Sequence, residues 1–124
     1  MEIKVKYTTM IVDNMEETVN FYRDVLGFEV DSTYRIPLEG EPVLANITLM
    51  RSKGGGAMLE LIQSDNYNTG FYSIGMDVND MDEVLHEMKA KGVKILAEPA
   101  PTQVGCCMFI EDPNGVRICL IQHF

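Results

Sequence analysis

Positive charge is scarce in this chain. Ten lysines and arginines stand against nineteen aspartates and glutamates, giving a net charge of −9 and a pI near 4.5. Nucleic-acid phosphates need a basic footprint, so nucleic acid is excluded as a partner. The same charge favours a cationic guest, although an acidic surface also serves solubility alone. Long apolar runs are lacking as well. No segment approaches membrane length and no basic-then-apolar leader is visible, so the expectation is a cytoplasmic protein with no membrane partner. Cysteine is sparse and odd in number, three in all, which excludes a disulfide framework. Cys106 and Cys107 are adjacent. Neighbours in a strand point to opposite faces, so one is expected in the core and the other across the sheet.

What is present fits an ordinary globular domain. A chain of 124 residues, 46% hydrophobic and 23% charged, buries roughly two-thirds of its unfolded surface without staples. Residues 1–124 therefore read as one domain, and the domain is built on a repeat. Val12-Asp13-Asn14-Met15 leads through Glu17, Val19 and Phe21-Tyr22 to Gly27-Phe28. Val78-Asn79-Asp80-Met81 leads through Glu83, Leu85 and Met88 to Gly92-Val93. Each copy reads as strand end, capped helix, glycine stop and new strand. Asn14 and Asp80 are N-caps with Glu17 and Glu83 three residues on. Gly27 and Gly92 fall where a helix ends in a left-handed residue. Met15, Val19, Tyr22 and Leu26 are spaced to form one apolar stripe. Leu59-Glu60-Leu61-Ile62-Gln63 is echoed by Ile118-Cys119-Leu120-Ile121-Gln122. Two βαβββ modules, about 1–64 and 70–124, follow.

Three local readings fill in the order. Phe28, Val30, Ser32, Tyr34 and Ile36 are expected on one face of a strand. A polar loop follows over 37–42. Gly54-Gly55-Gly56 lacks the helix and lysine of a phosphate loop, so it reads as a hairpin turn. Pro99 and Pro101 make 98–102 a surface connection.

Phe21-Tyr22, Val25-Leu26-Gly27-Phe28 and Glu111-Asp112-Pro113-Asn114-Gly115 carry a resemblance that spans nearly the whole chain. The sequence resembles the vicinal oxygen chelate superfamily, which includes glyoxalase I, bleomycin resistance proteins and extradiol dioxygenases. The resemblance implies an α+β fold, two βαβββ modules forming a curved mixed sheet with helices on the outer face. Ligand is then expected on the concave side. Strand alternation sends Tyr7, Thr9, Glu60, Met58, Phe71, Ser73, Arg117 and Cys119 away from the helices, toward that side.

Metal-dependent members hold their ion with one residue from each of four strands, typically His, Glu, His, Glu. The helix motif aligns those positions with Tyr7, Glu60, Ser73 and Cys119. Only Glu60 keeps the ligand type, and a divalent ion is poorly matched by the rest. His86 and His123 are expected to be surface residues. The expectation is therefore no metal and no cofactor, with metal-dependent glyoxalase or dioxygenase activity disfavoured. Glu60 has three readings: a general base with raised pKa, a partner for Arg117, or a solvated carboxylate. Tyr7, Thr9 and Ser73 supply hydrogen bonds, and Tyr34, Met58, Phe71 and Met108 supply walls for a cationic or aromatic small molecule.

Three functions stay open. The first is a metal-free small-molecule-binding protein resembling the bleomycin resistance branch, serving drug or metabolite sequestration. The second is a glyoxalase-like lyase, isomerase or dioxygenase with an atypical site. The third is a subunit whose groove is structural. A homodimer is expected, because a half-open sheet leaves apolar surface and strand edges uncovered.

Overall fold

The computed structural model describes residues 1–37, 44–113 and 115–124. The loop expected over 37–42 and Asn114 of the expected turn fall wholly or largely outside them. The chain resolves into two compact units, residues 7–72 and residues 73–124 with 1–6. Both have the βαβββ order, so the α+β class holds.

In the first unit, β1 (Ile3–Val12) leads into α1 (Met15–Asn20). Strands β2 (Glu29–Pro37), β3 (Leu44–Arg51) and β4 (Met58–Gln63) follow, in the spatial order β2-β3-β4-β1. β1 and β4 are parallel, with Thr9 opposite Glu60; the other pairs are antiparallel. The mixed sheet has two apolar faces. Val12, Met50 and Leu61 pack beneath the helix with Met10, Met15, Val19, Tyr22, Phe28 and Leu59. Ile11, Ala45, Ile47 and Ile62 pack on the other face with Tyr34, Ile36, Tyr67 and Tyr72.

The second unit repeats this plan. β5 (Gly70–Val78) enters α2 (Met81–Ala90), then β6 (Lys94–Thr102), β7 (Gly105–Glu111) and β8 (Arg117–His123) follow, in the order β5-β8-β7-β6. Val78, Met81, Val84, Met88, Met108, Ile110 and Leu120 form the core under α2. Cys106 packs against that core, as one of the two adjacent cysteines should.

Both helix starts are built alike. Asn14 Oδ1 accepts from the Glu17 amide, and Asp80 Oδ1 accepts from the Glu83 amide. The echoed glutamines complete each cap from the sheet: the Met15 amide donates to Gln63 Oε1 at 2.8 Å, and the Met81 amide donates to Gln122 Oε1 at 2.6 Å. Each satisfies a helix-start donor with no partner inside the helix, a contribution of about 1 kcal/mol. The echo was visible in the sequence; its purpose was not.

Three expectations are corrected. The first concerns Leu26, which is 54% exposed rather than part of the stripe. The first copy has one more residue between cap and glycine than the second. That residue is absorbed as a π-helical turn over Phe21–Val25, and such single-residue widening rotates everything after it out of phase. The second concerns β2. Its register shifts between Val30 and Ser32, and this bulge flips the alternation. Phe28 therefore packs under the helix, whereas Tyr34 and Ile36 pack on the opposite face. The third concerns 98–102, which lie inside β6. β6 is an edge strand bonded to β7 alone in its unit, with irregular register at Ile95/Ala97 and Ala97/Ala100. An edge with bulges tolerates proline where a central strand does not.

Candidate active site

The site begins with a ladder pair. β1 and β4 run parallel with Thr9 beside Glu60, and alternation places both on the face away from α1. The Thr9 hydroxyl donates to Glu60 Oε1 at 2.9 Å. The β2 bulge brings Tyr34 to the same face, where its hydroxyl donates to Glu60 Oε2 at 3.2 Å. Each carboxylate oxygen thus has one hydroxyl donor, which fixes the plane of the group.

The electrostatics follow from this burial. Loss of water around Glu60 pushes its pKa above the ordinary carboxylate value of 4.5, and the hydrogen bonds from Thr9 and Tyr34 only partly offset the rise. Burial also pushes Tyr34 above the usual phenol range, with the negative charge of Glu60 and then nearby Tyr7 adding to the shift. Tyr34 therefore stays a phenol and keeps its proton for Glu60. This arrangement favours a carboxylate that wants a proton more than an exposed one does.

Tyr34→Phe removes a bond that stabilises the ionised carboxylate, so the pKa of Glu60 should climb further. The acid limb of any rate profile is expected to move to higher pH, and infrared titration of the carboxylate stretch should show the same displacement. An unmoved limb would mean that Tyr34 does not act on Glu60.

Tyr7, Thr9, Tyr34, Met58, Glu60 and Phe71 lie in the first unit, and Ser73, Met108, Arg117 and Cys119 in the second. The structure brings Thr9, Tyr34 and Glu60 together, with Tyr7 buried and opposite Met58 on the ladder. Phe71 is 55% exposed and Ser73 is buried. Arg117 places its guanidinium over the Phe109 ring, 5.4 Å from the centroid.

Met108 is a correction. It is 0% exposed and packs beneath α2 with Val84, Met88 and Leu120, so it walls no groove. The strand period puts residue 108 on the face of 106 and 110, the helix side.

His123 is a second correction. His86 is exposed, but His123 is half-buried with Nε2 3.3 Å from Asp77 Oδ1. Neither atom has a hydrogen-bond partner among the described residues. Lys6 Nζ lies 3.5 Å from Asp77 Oδ2. The sequence reading did not find the Lys6, Asp77 and His123 cluster, because it joins β1, β5 and β8 and no local spacing links them.

A metal of the kind the resemblance implies does not fit these residues. Two of its four positions are the hydroxyls of Tyr7 and Ser73, one is the Cys119 thiol, and Glu60 already accepts from two hydroxyls. Among the described residues, no three His, Cys, Asp or Glu side chains are grouped to hold an ion. A broad depression of ≈ 490 Å³ over the start of α1 is lined by Asp13, Asn14, Glu17, Thr18 and Phe21 among others. It contains none of the Glu60 cluster, and its carboxylates are open to water.

Residues 4–120 match the Glyoxalase/Bleomycin resistance protein/Dioxygenase superfamily. The chain belongs to that superfamily. A probable lactoylglutathione lyase of Synechocystis sp. is 31% identical over 123 residues, covering 94% of this chain and 92% of the relative. A lactoylglutathione lyase of Neisseria meningitidis serogroup A is 29% identical over 129 residues, covering 97% and 91%. The methylmalonyl-CoA epimerase of Mycobacterium tuberculosis has the same fold, with a TM-score of 0.79 at 18% identity over 98% of this chain and 88% of that one. A Streptomyces coelicolor methylmalonyl-CoA epimerase in complex with 2-nitronate-propionyl-CoA reaches 25% identity and a TM-score of 0.73 over 97% and 96%. These superfamily relatives carry lyase and epimerase names. No helix among the described residues is long and apolar enough to cross a membrane.

Proposed function

We propose that this chain is a glyoxalase-like lyase or isomerase in which Glu60 takes a proton from a carbon beside a carbonyl. The observation that carries the reading is the Glu60 carboxylate itself: desolvated, raised in pKa, and held by Thr9 and Tyr34. A base with pKa moved toward neutrality transfers protons more effectively than an exposed carboxylate. The names of the relatives support the substrate class, since lactoylglutathione and methylmalonyl-CoA are both thioesters with a hydrogen on the carbon next to the carbonyl. Thr9 and Tyr34 orient the base, and the proton taken up by Glu60 exchanges with solvent before a proton is returned to the substrate. No step is assigned to a metal, because the donor set does not suit one.

The test is proton exchange in heavy water. Small thioesters and α-hydroxy carbonyl compounds are incubated with the protein, and deuterium uptake at the α-carbon is followed by NMR. Uptake by the wild type and not by Glu60→Gln is expected. Saturable binding of such compounds with no uptake by the wild type would sink the reading.

The sequestering reading is kept second because Tyr7, Ser73 and Cys119 replace metal ligands of the superfamily. It predicts ligand-dependent thermal shifts without turnover, greatest for cationic or aromatic guests given the charge of −9. A homodimer in a cytoplasmic setting belongs to both readings. Exposed Phe21, Val25 and Leu26 on one helical turn support the dimer, since such side chains together mark contact surfaces.

A further inference from the structure

The bulge in β2 decides whether Tyr34 reaches Glu60. Val30 lies opposite Met50 and Ser32 opposite Leu49, so Asp31 is the extra residue. Met50 packs beneath α1, whereas Tyr34 and its partner Ile47 pack on the other face. The phase of β2 therefore changes at Asp31. An extra residue placed after Tyr34 instead would leave that side chain on the helix face, out of reach of Glu60. β2 ends the sheet order, so β3 is its one ladder partner among the described residues. An edge strand has no second neighbour to fix its register, and side chains must mark where the bulge sits.

Arg51 is placed to do this. It ends β3 opposite Glu29, and its guanidinium reaches across to the bulge. Nη2 donates to Glu29 Oε2 at 3.0 Å, and Nη1 donates to Asp31 Oδ1 at 3.1 Å. The other Asp31 oxygen accepts from the Ser32 hydroxyl at 3.4 Å. The extra residue is thus held through both carboxylate oxygens, and one planar fork ties it to a regular ladder pair. A lone ammonium does not supply that fixed geometry. Single exposed ion pairs contribute little, but two charge-assisted bonds from one guanidinium form a network. Arg51 is 49% exposed, so packing is not its main role. We propose that Arg51 is a positioning residue: it pins the extra residue of β2 at Asp31 and so aims the Tyr34 hydroxyl at Glu60. Its place in catalysis rests on the reading of Glu60 as the base.

Besides burial, Thr9 and Tyr34 are the groups that set the Glu60 pKa, so Arg51 acts on it through Tyr34. The test is infrared titration of the Glu60 carboxylate, read as the difference from Glu60→Gln. In Arg51→Met the pKa of Glu60 should rise by about 0.4–1, the equivalent of one hydrogen bond. In a Tyr34→Phe background the same substitution should add nothing, because that bond is already gone. Arg51→Lys should resemble Arg51→Met, since it keeps the charge and loses the fork. Glu29→Gln combined with Asp31→Asn breaks the clamp from the other strand and should give the same rise. That pair replaces Arg51→Met if circular dichroism shows the latter misfolded. The proposal is overturned if Arg51→Met leaves the pKa unchanged, if the same rise appears without the Tyr34 hydroxyl, or if Arg51→Lys keeps the wild-type value. Turnover enters none of these measurements. An inactive protein with the expected pKa changes would sink Glu60 as the base and leave the hold of Arg51 on Tyr34 intact.

Discussion

Glu60→Gln is expected to cut turnover by about 10²–10⁴-fold, the range a positioned general base supplies, without lowering stability at pH 8. Glutamine keeps the shape, and its carbonyl still accepts from one of Thr9 or Tyr34 while its amide donates to the other hydroxyl oxygen. What it removes is a charge that burial disfavours. The pKa of Glu60 is raised in the folded protein, so the native state binds this proton more tightly than the unfolded chain. Its contribution is fully present below the unfolded value of 4.5 and is lost as pH rises through the folded pKa. Each unit between the two values is worth about 1.4 kcal/mol. Wild-type stability should therefore fall across that window relative to Glu60→Gln, and the variant should melt at the same or a higher temperature above it. Activity runs the other way, since only the ionised carboxylate accepts a proton: the rate rises through the window in which stability falls. Melting curves from pH 4 to 8 beside the exchange rates check both halves. A variant that loses activity together with several degrees of Tm at pH 8 would make Glu60 a structural residue.

The largest effect on folding is expected at Gly105. Its φ is +153°, and a β-carbon built there would sit 1.9 Å from the Gln122 carbonyl oxygen. That obstacle is the backbone of the paired strand, which has nowhere to move without breaking the β7–β8 ladder. Gly105→Ala therefore combines a strained backbone with overpacking, each about 1–3 kcal/mol, against a total stability of about 5–15 kcal/mol. The ladder it disturbs also carries Gln122, whose side chain caps α2, so loss of helix signal should accompany the loss of Tm. Gly54→Ala is the matched control. Nothing lies within 4 Å of a β-carbon there, and stability should be unchanged or rise by about 0.4–1 kcal/mol. Equal effects of the two substitutions on urea midpoints would contradict this account.

The repeat was legible because it is written in local chemistry. Asn14, Asp80, Gly27 and Gly92 each act within one helical turn, so spacing alone located both helices and their ends. Alternation placed Thr9 and Glu60 on one face, and it failed at Tyr34 and Phe28, where a bulge between Val30 and Ser32 shifts the phase by one residue. Leu26 failed for the same kind of reason: an added residue enters a helix as a π turn, and the apolar period counted from Met15 no longer applies. Bulges and π turns carry no spacing signature of their own, because they are compromises between a local pattern and what the neighbouring element needs.

The sequence by itself determined the superfamily, the two modules, and the absence of the usual ligands at Tyr7, Ser73 and Cys119. Tertiary structure alone decided that Tyr34 reaches Glu60 from 26 residues away, that Met108 belongs to the core, and that His123 faces Asp77. It also decided the raised pKa of Glu60. A pKa is set by the water a group has lost and by the donors around it, and both come from residues far apart in the chain.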